Sequence, residues 1–182
     1  MKSAFIFHGT AGFPEENWFP WLKEKLEKIN FKVFVPQFPT PKNQSLENWF
    51  KVFENIEKFY AKDSILVGHS LGGSFALRVL EKYAIKIDGA FFVATPIGIP
   101  PITNWAGDKP FTGQPFDWKK IKTRAKRFAV FHSDNDPFVG IENGKELAKK
   151  LGTKLELIPN AGHFNSKSGY TQFEELFKKI VE

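Results

Sequence analysis

The segment Gly68-His69-Ser70-Leu71-Gly72 carries the most specific chemical pattern in this chain. Gly-x-Ser-x-Gly places a serine on a sharp turn between a strand and a helix, with its hydroxyl exposed for attack. The glycines are geometric requirements, because the turn is strained and side chains at the flanking positions would collide with the crossing strand and helix. Here the pattern follows the apolar run Ser64-Ile65-Leu66-Val67 and precedes Phe75, Val79 and Tyr83 at helical spacing, the context it needs.

A serine hydroxyl attacks well at neutral pH only when a base removes its proton. Of the four histidines, His69 lies inside the turn and is expected to point into the structure, while His8 and His132 each end a predicted strand and suit supporting roles. His163 lies in the turn-rich stretch Asn160-Ala161-Gly162-His163-Phe164, after a strand and before the last helix, where a ring can swing over the carboxyl edge of a sheet. The base needs a carboxylate on its far nitrogen to fix its tautomer and stabilise the imidazolium. Asp134 and Asp136 are the candidates in Ser133-Asp134-Asn135-Asp136-Pro137. Asp136 is favoured because Pro137 fixes the exit of the turn, whereas Asp134 suits a residue whose carboxylate binds nearby backbone amides; the reverse assignment stays open.

Serine, aspartate and histidine in that chain order match the α/β-hydrolases and differ from chymotrypsin-like and subtilisin-like enzymes. Acyl transfer also needs two backbone amides for the oxyanion, each worth roughly 3 to 4 kcal/mol. Leu71, directly after the serine, is one expected donor. Thr10 is the other, in the glycine-rich loop His8-Gly9-Thr10-Ala11-Gly12.

The elements that position these groups follow from hydrophobic period. Strand-length apolar runs at Ala4 to Phe7, Lys32 to Val35, Ser64 to Val67, Ala90 to Val93, Phe128 to Phe131 and Lys154 to Leu157 alternate with helical segments, as in a parallel sheet covered on both sides. Phe19, Leu22, Leu26 and Ile29 share one helical face, and Leu46, Trp49, Phe50, Phe53, Ile56 and Tyr60 another. A third helix is expected from Ser70, a fourth near Glu142, and a last one using Tyr170, Phe173, Phe177 and Ile180. From Thr95 to Phe116 the chain is rich in Pro and Gly with no clear period, and is expected to form a lid or binding loop.

At 182 residues the chain fits one domain, 1–182, able to bury a core unaided. It contains no cysteine, which excludes disulfides, thiolate metal sites and a Cys nucleophile. Its opening apolar run, Ala4 to Phe7, is too short for a signal-peptide core or a membrane span, so a cytoplasmic setting is expected. The formal charge of +6 arises from 26 Lys and Arg against 20 Asp and Glu, with many lysines alternating with glutamates. That pattern describes solvated helix faces, so neither nucleic acid nor a membrane is expected as a partner.

The His8-Gly9 loop running into Asn17-Trp18-Phe19-Pro20-Trp21-Leu22, the Gly68 to Gly72 turn, Asp134-Asn135-Asp136-Pro137 and Gly162-His163 together resemble the small serine hydrolases of the retinoblastoma-binding protein 9 and YdeN type, a compact branch of the α/β-hydrolases. The resemblance covers nearly the whole chain. It implies a three-layer α/β sandwich whose mostly parallel sheet has about six strands, with little or no cap and the triad Ser70, Asp136 and His163. Phe164 departs from the small residues that commonly follow the histidine in that family, and the Thr95 to Phe116 segment has no transferable motif. The expected activity is that of a carboxylesterase cleaving small soluble esters through an acyl-enzyme on Ser70, without cofactor or metal, as a monomer or homodimer. Thioesterase, amidase and peptidase chemistry stay open. The alternative is a catalytically weak protein that uses the fold as a protein-binding module.

Overall fold

The computed structural model describes residues 2–182. Six strands, β1 (Lys2–Phe7), β2 (Phe31–Phe34), β3 (Ile65–His69), β4 (Ile87–Val93), β5 (Ala125–His132) and β6 (Leu155–Leu157), pair in the order β2-β1-β3-β4-β5-β6, every pair parallel. Seven helices connect or flank them: α1 (Phe19–Lys28), α2 (Leu46–Glu54), α3 (Leu71–Lys82), α4 (Trp105–Thr112), α5 (Trp118–Lys122), α6 (Glu142–Leu151) and α7 (Glu174–Val181).

Alternation along the strands divides the core into two layers. Phe5, Phe7, Leu66 and Phe92 point to the face covered by α2, α3 and α6, where Trp49, Phe53, Phe75 and Leu147 complete a buried cluster. Ala4, Ile6, Val67 and Phe91 point to the opposite face, against Phe19, Leu22 and Leu26 of α1 and Leu176 and Ile180 of α7. Both faces are apolar, which is why β1, β3 and β4 read as continuous hydrophobic runs. The pairing aligns the carboxyl ends: Phe7 lies beside Gly68, His69 beside Val93, Val93 beside Phe131 and His132 beside Leu157. Loops leaving these ends therefore converge on one edge, where ligands bind in open parallel sheets.

Four expectations about local structure are corrected. The second helical face does not run on to Tyr60: α2 stops at Glu54, a 3₁₀ turn follows at Glu57–Phe59, and Tyr60 reaches the core from beyond it. Ile29 is the C-terminal cap of α1 and 42% exposed, so it lies off the apolar stripe. Tyr170 and Phe173 precede α7, and pack edge to face 5.2 Å apart in the turn that leads into it. The segment from Thr95 to Phe116 is not wholly irregular either, since it contains α4, with Pro110 inside the helix. Among the described residues no helix is long and apolar enough to cross a membrane.

Candidate functional site

Ser70 occupies the junction of β3 and α3 with φ 53° and ψ −127°, a conformation that costs a non-glycine residue about 1–3 kcal/mol. The strain is held by hydrogen bonds on both sides: the Ser70 amide donates to the Val93 carbonyl (2.8 Å), and the Ser70 carbonyl accepts from the Gly73 amide (2.9 Å). Close backbone packing accounts for the flanking glycines. A Cβ at Gly68 would run into the backbone of Gly73 and Gly72, and one at Gly72 would run into the carbonyl of Phe7. Gly9 belongs to the same constraint, because a Cβ there would stand 2.7 Å from Ser70 Cβ and 3.2 Å from its Oγ.

His163 and Asp136 come from the loops after β6 and β5. The ring Nδ1 of His163 donates to Asp136 Oδ2 at 2.7 Å, and the Asp136 side chain is only 1% exposed. Its other oxygen accepts from the amides of Phe138 (2.8 Å) and Val139 (3.1 Å). Burial pushes the Asp136 carboxyl up, but the hydrogen bond and charge of His163 and the two amide donors outweigh it and hold the group below the usual carboxylate range. With Nδ1 carrying the shared proton, the opposite nitrogen Nε2 of the neutral ring is the unprotonated one.

The histidine loop is cradled by the acid loop nearly residue for residue. Asp134 Oδ1 accepts from the Asn160 amide (2.8 Å), Ser133 Oγ from Ala161 (3.0 Å) and Asn135 Oδ1 from Gly162 (2.7 Å). Asp134 thus binds a backbone amide while Asp136 meets the imidazole. Phe164 has φ 51° and is fully buried, stacked on Phe173 at 5.2 Å, and its carbonyl accepts from Trp18 Nε1 at 3.0 Å. A large residue after the histidine therefore serves as an anchor, and Trp18 holds the other end of it.

The remaining histidines are structural. His69 is fully inside the core and donates from Nε2 to the backbone carbonyl of His163 (2.8 Å); burial pushes its pKa down to about 3, so it stays neutral. His8 Nε2 accepts from the Phe38 amide (2.9 Å), which leaves Nδ1 to donate to the Gly9 carbonyl (2.8 Å). His132 Nε2 donates to the Val139 carbonyl (3.0 Å) from beneath the Asp136 loop. Desolvation lowers the pKa of both.

Ser70, His163, Gly9, Thr10, Phe138 and Asp108 line one cavity of about 430 Å³. Thr10 lines the same cavity as Ser70 and Leu71 follows Ser70 directly, and neither backbone amide has an acceptor among the described residues. Sequence reasoning missed Asp108, which α4 brings into the cavity wall. The only local sign of it is the Asn104-to-Asp108 spacing of one helical turn. Among the described residues no group of three or more His, Asp or Glu side chains is placed to hold a metal ion.

Comparison with known proteins identifies relatives of this chain. The chain is 30% identical to YdeN of Bacillus subtilis (strain 168) over 99% of its own length and 95% of the relative's, and 27% identical to serine hydrolase RBBP9 of Rattus norvegicus, covering 97% and 92%. The crystal structure of the B. subtilis ydeN gene product superposes with a TM-score of 0.92 at 27% identity, covering 100% of this chain and 97% of that one. Est1E of Butyrivibrio proteoclasticus, solved with ferulic acid bound, shares the fold at a TM-score of 0.71 and 16% identity, covering 100% and 90%. The family model for serine hydrolases matches residues 4–182, and with these relatives it establishes that the chain belongs to the serine hydrolase family, on an α/β-hydrolase fold.

Proposed function

We propose that the protein is a carboxylesterase acting on small soluble esters, with Ser70 as nucleophile, His163 as base, Asp136 as its orienting acid, and the amides of Thr10 and Leu71 as oxyanion donors. The observation that carries this reading is the strained Ser70 turn opening into the same cavity as an imidazole whose far nitrogen is held by a buried carboxylate.

Ser70 Oγ attacks the ester carbonyl carbon as its proton passes to His163 Nε2, and the carbonyl oxygen becomes an oxyanion between the two free amides. Collapse breaks the bond to the alcohol, which leaves with the proton from Nε2. Water then attacks the acyl-enzyme by the same route, returning the carboxylic acid and free Ser70. Asp136 keeps its negative charge throughout and stabilises the imidazolium. A cavity of about 430 Å³ with Ile102, Phe138 and Val139 in its wall has the size and apolar character of a site for a short acyl chain.

The test is hydrolysis of p-nitrophenyl acetate and butyrate, together with labelling by a fluorophosphonate, for the native protein and Ser70→Ala. The native protein should show both, and the variant should lose labelling and on the order of 10⁶ in turnover. Labelling retained in Ser70→Ala would refute the assignment. A native protein that hydrolyses the thioester or anilide analogue faster than the ester would keep the triad and replace the substrate class.

A further inference from the structure

We infer that Asp108 is a positioning residue: its carboxylate, presented by α4, holds the loop that carries the Thr10 amide in the orientation the oxyanion needs. The inference rests on the proposed role of Thr10.

Within the loop from His8 to Gly12 the internal hydrogen bonds all converge on the Gly9 carbonyl, from the Gly12 amide (3.1 Å) and His8 Nδ1 (2.8 Å), and none of them holds Thr10. The loop's shape is fixed from outside. Thr10 Oγ1 donates to Asp108 Oδ1 at 2.9 Å, and the amide of Ala11, which has φ 57°, donates to Thr40 Oγ1 at 2.7 Å. Thr40 in turn donates to Gln44 Oε1, and Gln44 Nε2 donates to the carbonyl of Gly107 at 2.8 Å. Two successive loop residues are therefore tied to two successive residues of one helix, one directly and one through Thr40 and Gln44. The Thr10 amide lies in the peptide plane between Gly9 and Thr10, so turning it away from the cavity would strain the link through the Thr10 side chain.

Asp108 is itself immobilised. It is 3% exposed, its Oδ1 also accepts from Asn104 Nδ2 (3.1 Å), and its amide donates to the Asn104 carbonyl (3.0 Å). Burial raises the carboxyl's pKa, the two donors offsetting part of that rise. A hydrogen bond to a carboxylate is about twice as strong as one between neutral groups, which suits a link that must not yield while charge develops nearby. The residue touches Thr10 and is placed to act through it, which separates positioning from direct participation in bond making.

Steady-state hydrolysis of p-nitrophenyl acetate by the native enzyme, Asp108→Ala, Asp108→Asn, Thr10→Val, Thr10→Ser and the Asp108→Ala/Thr10→Val double variant tests this. An oxyanion donor acts in the transition state, so Asp108→Ala and Thr10→Val should each lower kcat by about 10- to 100-fold with KM within about twofold. Asp108→Asn and Thr10→Ser keep an acceptor and a donor for the link and should stay within about fivefold of native. The double variant should be no slower than the slower single, because both changes remove the same bond. Losses that multiply in the double variant, or an Asp108→Ala enzyme that melts lower but keeps its native kcat, would overturn the inference. If Asp108→Ala does not fold, the contrast between Thr10→Val and Thr10→Ser decides it, and equal kcat in the two would overturn it. Loss of rate in Asp108→Ala with an active native enzyme bears on Asp108 alone; a native protein with no esterase activity would refute the hydrolase reading and this inference with it.

Discussion

Between β3 and α3 the chain reverses at a single residue, Ser70, whereas between β4 and β5 it makes a long excursion through α4 and α5. Both connections shape the same cavity, by different means. The Ser70 turn is held by backbone: two small neighbours let strand and helix approach, and backbone bonds to Gly73 and to Val93 of the adjacent strand lock the strained residue. The excursion is held by buried side chains reaching in from elsewhere. Asn143 of α6, fully buried, accepts from the amides of Ile97 and Ile99 and donates to the Ile99 carbonyl. Arg78 of α3 donates to the carbonyls of Phe111 (2.9 Å), Gln114 (2.5 Å) and Pro115 (3.4 Å), pairs with Glu81 at 2.7 Å and lies 3.9 Å over the Phe116 ring. A stretch without periodicity can thus be as fixed as a helix when its carbonyls are taken up by a planar guanidinium. Changes near the serine should therefore alter rate with little effect on stability, and changes in the straps should do the reverse.

The largest effect that sharpens this contrast lies at the acid. Asp136→Asn keeps Oδ1 for the amides of Phe138 and Val139 but places an amide group opposite His163 Nδ1, which favours the wrong tautomer. We expect kcat for p-nitrophenyl acetate to fall by about 10⁴, some 5 kcal/mol of barrier, with the melting temperature nearly unchanged. Asp134→Asn, which retains an acceptor for the Asn160 amide, should stay within about threefold; if instead it shows the large loss, the two aspartates exchange roles.

Next is Arg78→Ala, which leaves three carbonyls without the guanidinium as donor and removes the ion pair to Glu81, whose other oxygen still accepts from the Asp117 amide. Thermal unfolding should register a loss of about 2–4 kcal/mol, or about 5 to 15 °C in a chain of this size. An Arg78→Ala protein as stable as the native one would show that the excursion is held by its apolar contacts instead.

The most gradual effect, smallest for each unit of pH, concerns the buried histidines. His8, His69 and His132 have folded pKa values lowered by burial, so the unfolded chain binds protons that the folded one refuses. Stability is full above about pH 6.5 and declines as pH falls below it, by up to about 1.4 kcal/mol per pH unit for each histidine; for His69 this continues to about 3. Asp136, whose folded pKa is depressed, adds its loss only at lower pH, as its carboxylate is titrated. Denaturant midpoints measured between pH 8 and 4 should fall along this course, and replacing His132 by Gln should flatten it. A midpoint independent of pH over that range would refute the neutral, buried state of these rings.

By itself the sequence determined the alternation of apolar strands with amphipathic helices, and hence the parallel sheet. It also picked out Ser70 and His163, and narrowed the carboxylate to Asp134 or Asp136, as candidates for the sheet's carboxyl edge. These properties are readable because they depend on hydrophobic period and on turn residues acting within a few positions of one another, as with Gly68 and Gly72 around Ser70. Only the tertiary structure decided the course of the Thr95 to Phe116 segment and the place of Asp108 against Thr10, 98 positions away in the chain. It likewise decided that Phe164 anchors the histidine loop by packing on Phe173 and receiving the Trp18 hydrogen bond. The physical reason is common to these cases. Each rests on one or two contacts between residues far apart in sequence, and such contacts leave no periodicity and no local composition by which they could be read.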